Sequence, residues 1–134
     1  LTGQASFQLA LTTGTGGTYS EQASQVALCA GEQGAFWEMN DELYRLARSQ
    51  GVGSAFTVGN LLKSARDMGL GDDLLRQCLS TGRYRAALLD YSTFASDHGV
   101  TGTPTVLVNF GQGWRIVSRD YNTIADLVQR ANAG

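Results

Sequence analysis

The chain has 134 residues, 43% of them hydrophobic and 16% charged, enough for one domain with a real core and unlike a disordered or fibrous segment. Ten Lys and Arg against twelve Asp and Glu leave a net charge of -2, too little to suggest the clustered basic face of a nucleic-acid binder, and no nucleic-acid partner is expected. One histidine and two distant cysteines are too few for a structural zinc site, and neither a metal nor a cofactor is expected.

No stretch approaches about 18 consecutive apolar residues, so no membrane span is expected. Nothing resembling a charged-then-apolar leader opens the chain, so a targeting peptide is expected to be absent or already removed. With 17 glycines against a single proline, Pro104 is the rarest punctuation in the chain.

In chain order, residues 5–13 alternate Phe7, Leu9 and Leu11 with Gln8, Ala10 and Thr12, a period of two that predicts a strand. Gly14, Gly16 and Gly17 follow it, but the later glycine and lysine of a phosphate loop are missing, so residues 12–18 read as a flexible link. Thr18 and Glu21 have the spacing of a capping box and predict a helix over 20–30. A second helix is predicted over 35–49, with Phe36, Met39, Leu43 and Leu46 on one stripe, ended by Gly51 and Gly53.

Thr57 predicts the cap of a short helix carrying Val58, Leu61, Leu62 and Ala65, stopped by Gly69. Asp72 opens another that holds Leu74, Leu75, Cys78 and Leu79 and stops near Gly82. A longer helix over 84–98 turns Leu88, Tyr91 and Phe94 inward. Then the period changes. Two short β-branched runs, 105–110 and 114–118, flank a Gly111-Gln112-Gly113 turn and predict an antiparallel hairpin. An amphipathic helix over 121–133 closes the chain, with Ile124, Leu127, Val128 and Ala131 predicted to be buried. A strand, a run of helices, two strands and a helix indicate an α/β or α+β class with a helical module at 20–98.

Few side chains carry chemistry. His98 beside Gly99 reads as a C-terminal helix residue rather than a catalytic base. Glu32, Glu38, Asp41 and Glu42 read as a solvated face, Arg83 and Arg85 as surface, and Phe36, Trp37, Tyr84, Tyr91 and Phe94 as core. From the residues alone, Cys29 and Cys78 can be buried thiols, a redox pair or a disulfide. Pro104 cannot donate to a sheet ladder and so belongs at the very start of the strand that follows it, at an edge or a bulge.

The segment HGVTGTPTVLVN at 98–109 resembles the cis-proline loop of the thioredoxin fold, with Gly-Val-Thr-Gly-Thr-Pro directly before an apolar strand. ALCAGEQGAFWEMNDELY at 27–44, and Gly69-Leu70-Gly71-Asp72 through Cys78-Leu79, resemble the helical insert of DsbA-like thiol:disulfide oxidoreductases.

The resemblance implies one partial thioredoxin-like α/β domain over 1–134, with 1–19 and 99–134 as the thioredoxin-like part and 20–98 as the insert. It also implies a cis Thr103–Pro104 bond in a substrate-binding loop and a structural disulfide between Cys29 and Cys78. The implied setting is extracytoplasmic, with thiol-bearing protein or peptide substrates and a redox partner protein.

The family's Cys-x-x-Cys is missing from this sequence, so no catalytic residue is assigned and the chain alone is expected to be redox-inactive. Asn40 stands where relatives commonly carry histidine, and Thr13-Gly14 replaces a proline-containing turn. A non-enzymatic binding or scaffold module is the alternative. Without the strand that leads into the cysteines, the sheet is expected to close by re-pairing residues 5–13 or by exchanging them within a homodimer, hinged at 14–17.

Overall fold

A computed structural model describes residues 4–14 and 16–133. The described elements are α1 (Gly17–Gly31), α2 (Phe36–Gln50), α3 (Val52–Ala55), α4 (Val58–Asp67), α5 (Asp72–Ser80), α6 (Arg85–Asp97), β1 (Val106–Asn109), β2 (Trp114–Val117) and α7 (Tyr121–Asn132). They fall into two compact units, one of residues 11–92 and one of residues 4–10 with 93–133.

The helical unit owns the core. Helix α1 packs on α2, α3, α4 and α5, and α4 also packs on α2 and α5. Val26, Ala27 and Ala30 of α1 meet Met39, Leu43 and Leu46 of α2, Leu61 and Leu62 of α4, and Leu75 of α5. Met39 and Leu75 have no exposed surface, so truncating either to alanine costs about 2–5 kcal/mol. Among the described residues the two buried polar side chains are satisfied: Gln25 donates to Glu21 and Ser64 Oγ donates to Glu42.

Helix ends follow the glycines. Gly69 takes φ +77 and donates its N–H to the Arg66 carbonyl, a left-handed closure that a side chain would strain. Thr57 caps α4, its hydroxyl accepting from the Asn60 N–H. The capping box at Thr18 does not form. Helix α1 starts earlier, with Gly16 as N-cap and no side-chain cap, which places Thr18 inside the first turn. Thr15, in the glycine-rich link read as a hinge, lies outside the described residues. Helix α3, an extra turn between Gly51 and Phe56, was not expected.

In the second unit, β1 and β2 form an antiparallel pair with Val106 opposite Val117 and Asn109 opposite Trp114. The strand expected at 5–13 is absent: those residues run as irregular chain, and Phe7 is 79% exposed. Alternation specifies which face a strand would bury, but a strand persists only against a partner, and these residues have no ladder neighbour. The expected re-pairing of 5–13 is likewise absent from the described residues. Helix α7 has no fully buried residue; Ile124, Leu127 and Val128 are half-buried and Ala131 is exposed. Trp37, expected in the core, is 56% exposed, while its edge-on neighbour Phe36 is half-buried.

Candidate functional site

The loop at 99–105 is built between a helix stop and a strand start. Gly99 takes φ +71 at the end of α6, and the Val100 N–H returns to the Ala95 carbonyl. From there the chain leaves the helix, and the Thr103–Pro104 peptide is cis. Thr105 Oγ1 donates to the Gly102 carbonyl at 2.6 Å, bracing the turn across Pro104. Strand β1 begins two residues after the proline, where the missing N–H costs no ladder bond.

Thr103 and Pro104 are both exposed, and Thr103 makes no backbone hydrogen bond to another described residue. Among the described residues β1 pairs with β2 alone, so its other edge keeps free N–H and C=O groups. An exposed loop running into an open strand edge can pair with an extended peptide through main-chain hydrogen bonds. It offers no thiol: its polar side chains are threonines, and His98 Nδ1 is engaged with the Phe94 carbonyl at 2.7 Å.

Cys29 and Cys78 form a disulfide joining α1 to α5, with their Cα atoms 5.9 Å apart. Both are at most 2% exposed. Since the chain has two cysteines, no thiol remains for exchange chemistry.

Beside the disulfide is a cluster of three side chains, Glu32 lying far in sequence from Arg83 and Tyr84. Arg83 Nη1 donates to both Glu32 oxygens at 2.8 and 2.7 Å, and the Tyr84 hydroxyl donates to Glu32 Oε1 at 2.8 Å. These bonds, from Tyr84 first and Arg83 second, hold the Glu32 carboxyl below the usual range. Partial burial, then the Glu32 carboxylate, pushes the Tyr84 phenol up. The signal was available once the cysteines were paired. Glu32 follows Cys29 by three positions and Arg83 follows Cys78 by five, so bridging the cysteines draws the two segments together.

The substrate-binding residues expected from the sequence, Thr103 and Pro104, lie in the hairpin unit, and the disulfide lies in the helical unit. A family model described as Thioredoxin matches residues 2–128. Two curated proteins, Na(+)/H(+) antiporter NhaA 3 of Salinispora tropica and Na(+)/H(+) antiporter NhaA 1 of Salinispora arenicola, are each 36% identical to this chain over 91 residues. The matched stretch covers 68% of this chain and 13% of each antiporter.

Proposed function

Because the chain belongs to the thioredoxin family, we propose that it is the substrate-docking and helical-insert portion of a DsbA-like thiol:disulfide oxidoreductase. Its substrates are thiol-bearing proteins or peptides met in an extracytoplasmic compartment, where a disulfide such as Cys29–Cys78 persists. The observation that carries the proposal is the exposed Thr103–Pro104 loop leading into an edge of β1 that is unpaired among the described residues. An extended substrate lies along that edge, its backbone paired with Thr103 and with β1.

The exchange step needs a cysteine thiolate that attacks a disulfide sulfur, forms a mixed disulfide and expels the other sulfur as thiolate. This chain supplies neither the attacking thiolate nor its resolving partner, because both its cysteines are bonded to each other. It docks the substrate and leaves the redox step to a Cys-x-x-Cys outside these residues or on a redox partner protein.

Titration of isotopically labelled chain with an alkylated cysteine peptide tests docking. Amide shifts confined to residues 102–109 are expected, and shifts elsewhere with none there defeat the proposal. Insulin reduction by the chain alone is expected to stay at the uncatalysed rate. Turnover abolished by Cys29→Ser would show instead that the disulfide itself is catalytic.

One observation favours a second reading, a non-enzymatic thioredoxin-like module carried by a transporter: the matched stretches belong to proteins named as Na(+)/H(+) antiporters. The residues encoded upstream of Leu1 separate the two, since a Cys-x-x-Cys there favours the enzyme. The open β1 edge and the unpaired 5–13 segment also support a strand-exchanged homodimer, for which light scattering across concentrations is the test.

A further inference from the structure

We propose that Glu32 anchors a cover over the Cys29–Cys78 disulfide, tying the turn between α5 and α6 to the end of α1 and shielding the bond from attack by external thiols. The proposal goes beyond the docking role and does not depend on it.

The turn reverses at Gly82, where φ is +59. Thr81 Oγ1 donates to the carbonyls of Gln77 and Cys78 at 3.0 Å, seating the turn on the half-cystine. Arg83 and Tyr84 then reach Glu32, 51 and 52 positions away in sequence, in three charge-assisted bonds of 2.7–2.8 Å. Glu32 Oε1 lies 3.8 Å from Cys78 Sγ. The bonded sulfur has no proton to donate, so this contact is van der Waals packing of a carboxylate on the disulfide.

Two consequences follow for exchange with a small dithiol. A thiolate must collide with a sulfur. Both cysteines are at most 2% exposed, so the turn must open first, and opening breaks the bonds to Glu32. The carboxylate also repels a thiolate arriving at Cys78. If attack falls on Cys29, Cys78 leaves as a thiolate beside that carboxylate, which makes it a poorer leaving group. The dithiol then closes to its cyclic disulfide by displacing Cys29, leaving Cys29 and Cys78 as two thiols and the reagent oxidised. A chain whose family handles thiols and disulfides thereby keeps its own bond out of the traffic.

The test follows reduction of the oxidised, folded chain by dithiothreitol, with quenching by a maleimide and intact mass. Glu32→Ala is expected to be reduced about tenfold faster than the parent, since three charge-assisted bonds no longer hold the turn. Glu32→Gln keeps an acceptor for Tyr84 and loses the charge, and about threefold acceleration is expected.

Arg45→Ala breaks a two-bond ion pair to Glu42 within α2, one that makes no contact with Cys29 or Cys78, and is expected to stay within about twofold of the parent. Unchanged rates in both Glu32 variants overturn the proposal. So does an Arg45→Ala rate that rises as far as theirs, because acceleration would then report general loosening. If Glu32→Ala does not fold, Glu32→Gln against Arg45→Ala decides.

Discussion

Phe94 and His98 lie one helical turn apart in tilted ring contact, centroids 4.2 Å from each other, and His98 Nδ1 lies 2.7 Å from the Phe94 carbonyl oxygen. A carbonyl only accepts, so Nδ1 carries the proton and the histidine serves the helix end rather than a reaction. Trp114 of β2 meets Phe94 edge-on at 5.4 Å, joining the hairpin to the end of α6. Phe94→Leu keeps most of the volume and loses the edge-to-face contact, so a loss of about 1 kcal/mol is expected. Trp114 emission in a Trp37→Phe background reads it directly; an unchanged spectrum and midpoint would contradict the contact.

The disulfide closes a loop of 49 positions, for which the chain-entropy account gives about 4 kcal/mol of stabilisation. Alkylation of freshly purified protein without reductant is expected to add no mass. With reductant, two adducts and a large drop in denaturation midpoint should appear together. Two adducts before reduction would remove the bond from the account.

Two threonines make a matched pair. Thr57→Ala removes the cap of α4 and is expected to cost about 1 kcal/mol. Thr18→Ala falls inside α1, makes no cap and is expected to change stability by less than about 0.5 kcal/mol. Equal effects in urea unfolding would mean that one of the two helix starts is misplaced.

Asp120 sets the acid behaviour of α7. Its carboxylate accepts from the Ser118 hydroxyl and from the Thr123 hydroxyl and N–H, and these bonds hold it down at about 2. Above pH about 4 the group is ionised in folded and unfolded chains alike, and its stabilisation is fully present. As pH falls from about 4 to about 2, the unfolded chain takes up the proton first and that stabilisation is lost. Glu32, Glu42 and Asp72 are also held low, the last two chiefly by bonds from Arg45 and Arg76, and act in the same direction. The difference between parent and Asp120→Asn isolates the cap. Parallel acid-unfolding curves for the two would rule it out.

The helices were legible because their limits are local. Gly69, Gly82 and Gly99 stop helices where a left-handed residue is needed, and Thr57 caps its helix through a hydroxyl three positions away. The hairpin was legible for the same reason, with both strands beside their own turn. Residues 5–13 carried a true alternation, yet whether a strand forms depends on a partner that the local pattern does not name.

Thr103 and Pro104 were singled out by the rarity of proline and by a resemblance, while the Glu32 cluster stayed hidden. Its members lie about 50 positions apart, and each alone looks like an ordinary surface or core residue. Long-range polar networks become visible only after a pairing such as Cys29–Cys78 is known.

The bridge between α1 and α5 makes the stretch holding α2, α3 and α4 a closed covalent ring. A protease that cuts the 68–71 connection opens the ring without releasing a fragment, since both new ends remain tethered through sulfur. The nicked molecule keeps its mass, apart from one added water, until the sulfurs are parted. On a gel without reductant it runs as a single species, and with reductant as two. Backbone continuity and molecular integrity are therefore separate properties of the helical unit, and a survival assay that omits reductant reports only the second.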